Sequence, residues 1–77
     1  MNNARRKELE KALEKIGEAK DIIQNVLDEE QEAFDNMPES FQTGERGERM
    51  TDAIDELDNA ISNLEDVESS IENAQEG

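Results

Sequence analysis

The chain has 77 residues, of which 22 are Asp or Glu and 8 are Lys or Arg, and its formal charge is -14. It contains no His, Cys, Trp or Tyr. These absences exclude Ser-His and Cys-His nucleophiles, disulfide bonds, and metal sites that use His or Cys ligands. Only 32% of the residues are apolar, so a single domain of this length is not expected to enclose a pocket. We therefore expect a binding or structural protein, not an enzyme, with no cofactor and no metal.

The composition also limits the partners that the chain can bind. No stretch has the roughly 18 to 20 apolar residues of a membrane-spanning helix, and no apolar signal core follows the basic N-terminal residues. The negative charge repels nucleic acids and anionic lipids over a Debye length of about 8 Å. We expect a cytoplasmic protein that binds neither nucleic acid directly nor membranes. An acidic polar face also argues against a helix lying on a membrane surface.

Two long segments on either side of Pro38, the only proline, repeat apolar residues at spacings of three and four. This spacing predicts helices over about 4–36 and about 44–74, joined by a connector at 37–43 within one domain, 1–77. In heptad letters, both helices have apolar residues at positions a, d and g. The a and d rows contain Leu9, Leu13, Ile16, Ile23, Leu27, Phe34 and Met37 in the first helix, and Met50, Ile54, Leu57, Ile61, Leu64 and Ile71 in the second.

The ends of the helices follow from capping residues. Asn3 is predicted as the N-cap of the first helix and Thr43 as the N-cap of the second. Gly44 and Gly47 are expected to weaken the first turn of the second helix, because glycine is a poor helix former. Phe41, in the connector, is expected to fold back and close the end of the apolar core.

A connector this short predicts an antiparallel two-helix coiled-coil hairpin. If Phe34 lies opposite Ile54, then Lys20 and Glu68, which both interrupt the apolar rows, lie at the same level. A charge pair there would fix the alignment of the helices more than it stabilises them, because desolvation offsets much of the Coulomb attraction. The alternative is that both side chains extend past the edge of the seam into water.

The apolar face is wider than one two-helix seam requires. The g rows consist of Ala12, Ala19, Val26 and Ala33 in the first helix and Ala53, Ala60, Val67 and Ala74 in the second. Ile22, at position c, extends this face. This wide apolar face predicts a homo-oligomer in which two hairpins pack as a four-helix bundle. The alternative is a monomer in which the alanines only favour the helical conformation.

Charge is distributed unevenly along the chain. Residues 1–24 contain six bases and five acids, whereas residues 25–77 contain two bases and seventeen acids. A rod covered with carboxylates resembles the phosphate backbone that basic clefts bind. This pattern predicts a protein-binding module that occupies a basic or nucleic-acid-binding site of a protein partner, as inhibitors that mimic DNA do. The alternative is a structural oligomerisation module with a solubilising or salt-adapted acidic surface.

The candidate partner-binding residues are the acids that lack neighbouring bases. They are Asp28, Glu29, Glu32, Asp35, Asp55, Asp58, Glu65, Asp66 and Glu72. Asp52, Asp55 and Asp58 lie three residues apart, which does not match the alternating ligands of an EF-hand, and the Glu-x-x-His motif of di-iron bundles needs a His that the chain lacks. We therefore assign no metal site to them. Arg46 and Arg49 are interpreted as salt-bridge partners of nearby acids.

The centre of the chain carries a resemblance. The acidic run at 28–35, the Pro38-Glu39-Ser40-Phe41-Gln42 connector and the Gly44-Glu45-Arg46-Gly47 helix start occur in the same order in a group of small acidic helical proteins of bacteria and their phages, most of them uncharacterised. The chain resembles this group over about residues 28–65. The resemblance implies a bacterial host and a phage context, in which small proteins that block host enzymes are common. It implies no activity for any particular residue.

Overall fold

The structure, a computed structural model, describes all of residues 1–77. It contains three helices and no strand: α1 (Asn3–Asp35), α2 (Glu39–Gln42) and α3 (Glu45–Glu76). The all-α class predicted from the sequence is confirmed. The chain measures 58 × 15 × 11 Å, because α1 and α3 are long and lie side by side.

Contacts between α1 and α3 join residues early in one helix to residues late in the other. Arg6 Nε donates a hydrogen bond to the carbonyl oxygen of Gln75 at 2.8 Å, and Gln75 Nε2 donates to the carbonyl oxygen of Arg6 at 3.2 Å. Farther along α1, Lys20 Nζ lies 2.6 Å from Glu68 Oε1. The expected meeting of Lys20 and Glu68 is therefore observed, and the alternative in which both extend into water is wrong.

The start of α1 is capped by a side chain. Asn2 Oδ1 accepts a hydrogen bond from the backbone N–H of Arg5 at 2.8 Å, the interaction that makes asparagine a favourable N-cap. The N-cap is thus Asn2, and the prediction of Asn3 is wrong by one residue. Asn3 instead accepts a hydrogen bond from Arg6 Nη1 through its side chain.

The connector contains a helical turn, α2, that begins directly after Pro38. Phe41 in this turn is 56% exposed, so the prediction that it closes the core is wrong. Gln42 takes the inward position instead, and its Nε2 donates to the carbonyl oxygen of Phe34 at 2.8 Å. A four-residue helix can direct only part of its surface toward α1 and α3, and the side chain of Gln42 occupies that part.

The N-cap of α3 also differs from the prediction. Thr43 is the C-cap of α2, and its backbone N–H bonds to the carbonyl oxygens of Glu39 and Phe41. Gly44 is the N-cap of α3 and, having no side chain, makes no side-chain capping bond. The backbone of Gly44 is extended, with φ -89° and ψ -175°, a conformation open to any residue.

Gly47 is the only buried residue of the chain. A Cβ atom at this position would overlap the carbonyl oxygen of Gln42 and lie 2.5 Å from its carbonyl carbon. No residue has a positive φ, so the position requires glycine for space and not for backbone conformation. Gly47 therefore lets the end of α2 pack directly on the first turn of α3, which its low helix propensity alone does not indicate.

No apolar side chain of the single chain is buried. The a and d residues, including Leu27 and Ile61 at the middle of the seam, are partly exposed. Two helices in contact cover only one side of each other, so each apolar row keeps an edge open to solvent. A larger apolar surface remains available on this chain than a closed core would leave.

Candidate functional site

All nine candidate partner-binding carboxylates lie on the surface of the two long helices. Four are on α1 (Asp28, Glu29, Glu32 and Asp35) and five are on α3 (Asp55, Asp58, Glu65, Asp66 and Glu72), and each is exposed. Their positions are b, c, e or f of the heptads, which point away from the a and d seam. The side chains can therefore reach a partner without any change in the helices.

None of the nine carboxylates is paired with a base. The ion pairs of the chain join Glu8 to Lys11, Lys15 to Glu18, Lys20 to Glu68 and Glu45 to Arg49. Arg49 thus pairs with Glu45, as interpreted from the sequence. Since no neighbouring cation neutralises the candidate residues, their negative charge is available to an incoming basic group.

Two glutamines position two of the acids, a feature that the sequence reasoning missed. Gln24 Nε2 donates to Asp28 Oδ1 at 2.9 Å, and Gln31 Nε2 donates to Asp35 Oδ1 at 3.0 Å. Residues four apart on a helix are neighbours, and Gln followed by Asp at that spacing is a known stabilising pair. This spacing is the signal that could have identified both bonds. The bonds leave each carboxylate with further acceptor positions for a partner.

The nine residues form two groups along the rod. Gln42 contacts Phe34, so the acids of α1 at 28–35 lie near the connector, as does the α3 segment at 55–58. The contact between Glu68 and Lys20 places α3 residues 65–72 beside the part of α1 that carries its lysines and arginines. The structure therefore brings one group together near the connector and leaves the other near the chain ends.

The seam divides the surface into two chemically different sides. Residues early in α1 contact residues late in α3, and helices in contact this way have both g rows on one side of the seam and both e rows on the other. The e row of α3 contributes Asp58, Glu65 and Glu72, and the e row of α1 contributes Gln24 and Gln31. The e side is therefore polar and acidic, and the g side is apolar.

The g side, with Ile22 at its edge, forms an apolar flank that the single chain leaves uncovered. Ile22 is 64% exposed, Val26 is 46% exposed and Val67 is 44% exposed. The remaining g residues are alanines. Small side chains permit another helix to approach closely, and exposed apolar surface of this kind marks interaction sites.

The Lys20–Glu68 pair lies at the edge of the seam, and both side chains are mostly covered, at 25% and 22% exposure. The hydrogen bond to Glu68 is the main cause that raises the pKa of Lys20 above its ordinary value of 10.5; desolvation opposes this, and the charges of Glu68, Glu65 and Asp21 add to it. The pair therefore remains ionised at neutral pH and holds the two helices at one relative level.

Other kinds of site are not evident. No group of three or more carboxylates lies close enough together to hold a metal ion. An open concavity at the start of α1, lined by Met1, Asn2, Ala4, Arg5, Glu8 and Leu9, includes none of the candidate residues. Neither long helix is apolar enough to cross a membrane.

Comparison with known proteins adds no relative. No protein-family model matches the chain, and neither a curated protein nor a solved structure matches it. The resemblance to small acidic proteins of bacteria and phages therefore stays an expectation from the sequence.

Proposed function

We propose that the chain is an antiparallel two-helix coiled-coil hairpin that associates with a second copy as a four-helix bundle and acts as a non-enzymatic protein-binding module. The cross-helix contacts of Arg6 with Gln75 and of Lys20 with Glu68 support the hairpin. The uncovered apolar flank supports the association. In this arrangement the g rows are covered and the acidic e side stays outside.

The partner is a protein with a basic surface, such as the nucleic-acid-binding site of a bacterial enzyme, which the acidic side occupies as an inhibitor. The observation that carries this proposal is that nine carboxylates are exposed and none of them is paired with a base. Such carboxylates attract a cationic cleft and increase the rate of association. A phage context, implied by the sequence resemblance, accords with this role.

The spacing of the charges defines the size of the basic site. Asp58, Glu65 and Glu72 recur at about 10 Å along α3, with Asp55 before them and Asp66 between them, so five carboxylates cover about 25 Å. Duplex DNA carries one charge per about 1.7 Å. The charges of the acidic side are therefore much farther apart than those of a phosphate backbone. They suit a cleft with four or five separated Lys or Arg side chains.

Affinity capture from a bacterial lysate tests this function. Immobilised wild-type protein is expected to retain a partner at about 50 mM salt and to release it at about 500 mM, because screening weakens contacts between exposed charges. The triple variant Asp58→Lys, Glu65→Lys and Glu72→Lys should fold and lose the partner. A short DNA duplex should compete with the wild-type protein for the purified partner.

A matched control changes the same number of charges elsewhere. The triple variant Glu8→Lys, Glu14→Lys and Glu18→Lys alters the net charge equally but leaves the e row of α3 unchanged. It should keep the partner. If both triple variants bind equally well, or if DNA does not compete, the acidic side is not the binding site.

A second function, that of a structural oligomerisation module with a solubilising surface, is favoured by a separate observation. No apolar side chain of the single chain is buried, and a small core of this kind rarely supplies more than about 3 to 5 kcal/mol of stability. Association through Ile22 and Val26 is then the main role of the chain. Ile22→Gln should weaken self-association, measured by sedimentation equilibrium, whereas Phe41→Gln, at an exposed apolar residue on the connector, should not.

A further inference from the structure

Two copies of the hairpin can bring their apolar flanks together in two orientations. In one, both connectors lie at the same end, so that α1 of each copy lies along α3 of the other. In the second, the connectors lie at opposite ends, so that α1 lies along α1 and α3 along α3. Both orientations have two-fold symmetry, which places the same surface of each copy in the contact.

We propose that the apolar flank is covered by a second copy whose connector lies at the opposite end, and that the residues at position c of α1 select this orientation. The proposal depends on the self-association proposed above and adds the relative direction of the two copies. Of the nine candidate partner-binding carboxylates it uses only Glu29, and the acidic e side that is proposed to bind a basic protein stays uncovered.

The c row borders the flank because c lies next to g on the outside of a helix packed through its g row. In α1 this row contains Glu8, which pairs with Lys11, followed by Lys15, Ile22 and Glu29. Ile22 is 64% exposed, and Lys15 is 75% exposed, with only a 3.5 Å contact to Glu18. Glu29 is exposed and has no ion-pair partner. All three are therefore free to meet a second copy.

With the connectors at opposite ends, these residues complement themselves. A two-fold axis beside Ile22 brings this side chain against Ile22 of the second copy. Since Lys15 and Glu29 are each seven residues from Ile22, the same axis brings Lys15 of each copy to Glu29 of the other, forming two symmetric ion pairs. In the g row, Ala19 then meets Val26, a small side chain against a larger one.

The α3 helices fit the same axis. An axis at Ala60 brings Ala53 of one copy to Val67 of the other, which repeats the small-to-large pattern of α1. When two helices run in opposite directions, residues at the same level have numbers with a constant sum. For Ile22 and Ala60 this sum is 82. The observed contacts between α1 and α3 have sums of 81 for Arg6 with Gln75 and 88 for Lys20 with Glu68. These contacts place a residue between 59 and 66 of α3 at the level of Ile22, a range that includes both Ala60 and Asn63.

With the connectors at the same end, the c rows do not match. Ile22 then lies against the polar Asn63 of α3, and Glu29 lies against Glu56, with both mismatches repeated by symmetry. Like charges in direct opposition at an interface are destabilising, and an apolar side chain facing an amide leaves the amide without a partner.

The overall charge favours the same choice. The half of the hairpin near the connector, residues 25–64, has twelve acids and two bases, whereas the remaining residues have ten acids and six bases. Connectors at the same end would place the two most acidic halves together. Connectors at opposite ends place each beside the less acidic half of the other copy, which lowers the repulsion.

Spin labels on the connector measure the orientation directly. The chain has no cysteine, so Ser40→Cys provides a single attachment point on the exposed α2. We expect a distance between the labels of a dimer that approaches the 58 Å length of the chain. The same-end orientation predicts a distance below about 25 Å, because neighbouring helices in a bundle are about 8–10 Å apart.

Charge reversal tests the selecting residues. Lys15→Glu and Glu29→Lys should each raise the dissociation constant of the dimer by about tenfold, since each replaces two attractive exposed pairs with repulsive ones. The double variant should restore the wild-type value. In the same-end orientation Glu29→Lys would instead strengthen association by pairing with Glu56. Glu14→Lys, the same charge change at an outward b position, is the control and should not reproduce these effects.

The outcomes separate the two proposals. A chain that sediments as a monomer at all concentrations contradicts the self-association itself. A dimer with a short Ser40 distance and tighter association of Glu29→Lys leaves self-association intact and contradicts the opposite-end orientation. A long distance with recovery in the double variant supports both.

Discussion

Gly47 lies so close to Gln42 that the carbonyl oxygen of Gln42 occupies the space where a Cβ of residue 47 would be. The carbonyl oxygen, the carbonyl carbon and the Cα of Gln42 limit this space, and as backbone atoms they cannot move aside as the end of a flexible side chain can. The contact fixes the angle at which the chain leaves α2 and enters α3.

Gly47→Ala is expected to destabilise the fold by about 1–3 kcal/mol, the usual cost of forcing added atoms into a packed site. The matched change is Gly17→Ala in the middle of α1, where a Cβ would have no atom within 4 Å. That variant should gain about 0.5–1 kcal/mol from the higher helix propensity of alanine. Urea unfolding followed by circular dichroism measures both, and equal effects at the two sites would contradict the packing contact.

Gly44→Ser should stabilise the start of α3. The residue has an extended backbone and no side-chain cap, and a Cβ there would make only ordinary contacts, at 3.5 Å from Ser40 O and 3.6 Å from Phe41 O. A serine hydroxyl can accept a hydrogen bond from an unpaired N–H of the first turn. We expect a gain of about 0.5–1 kcal/mol from the cap together with the lower entropy of the unfolded chain.

The comparison variant for this prediction is Gly44→Ala, which provides the entropy effect without the hydroxyl. Gly44→Ser should exceed it in the midpoint of thermal unfolding. If alanine stabilises as much as serine, the first turn of α3 gains nothing from a side-chain cap, and the missing cap is not a weakness of the helix.

The long helices and their contact could be predicted from the sequence because the apolar spacing persists over about eight turns in the first segment and about six in the second. Lys20 and Glu68 could be placed together for the same reason. Each is a charged residue that interrupts an a row, and pairing them avoids placing either charge against an apolar side chain of the other helix. The exposure of acids such as Asp58 and Glu65 followed from their positions outside the seam. Periodicity thus determines which side of each helix faces its neighbour.

The connector could not be predicted in the same way, because it has no periodicity. Composition favours burial of Phe41, yet α2 is one turn long and its direction is set by the contact of Gln42 with Phe34 and by the packing on Gly47. These contacts depend on the path of the backbone between the helices. The hydrogen bonds from Gln24 and Gln31 likewise depend on side-chain rotamers, although their spacing gave a usable signal.

The ion pair of Lys20 and Glu68 predicts a pH dependence of stability. The folded-state pKa of Lys20 is raised above 10.5, so the contribution of the pair is fully present below that pH and is lost as the pH rises through the raised value. The difference in urea midpoint between the wild type and Glu68→Gln should therefore stay constant between about pH 7 and about pH 10 and shrink at higher pH.

The reference for this measurement is Glu72→Gln, a change one turn away on α3 that leaves the Lys20–Glu68 pair intact. The difference in urea midpoint between Glu72→Gln and the wild type should not decrease in the same way above about pH 10. A titration of the Lys20 side chain by nuclear magnetic resonance gives a second readout, in which Glu68→Gln should lower the pKa. An unchanged pKa in that variant would mean that the pair is not formed in solution.

Replacing both Lys20 and Glu68 with leucine separates alignment from stability. Two apolar side chains at a positions extend the seam and need no desolvation of charge, so we expect a higher urea midpoint than in the wild type. We expect the double variant to lose its single, well-defined alignment, because no charge pair then fixes the two helices at one relative level. Broader amide resonances or a mixture of oligomers would report it, and a more stable chain with one well-defined state would show that the pair does not fix the alignment.

Repulsion among the acids of α3 should make stability depend on salt. Asp55 lies three residues from both Asp52 and Asp58, and like charges at this spacing each cost about 0.2–0.5 kcal/mol on an exposed helix. Asp55→Asn removes two such pairs and should stabilise the fold by several tenths of a kcal/mol at about 10 mM salt, with the gain disappearing near 1 M, where the Debye length is about 3 Å.

The opposite behaviour is expected of Glu8→Gln, because Glu8 pairs with Lys11 at 3.0 Å and lies three residues from Arg5. Removing its charge should destabilise slightly at low salt and have no effect at high salt. The two variants change the net charge equally, so any difference in sign arises from local pairing and not from total charge. If both stabilise the chain equally, repulsion acts through the whole charge of -14, and the arrangement of carboxylates along α3 has no separate effect on folding.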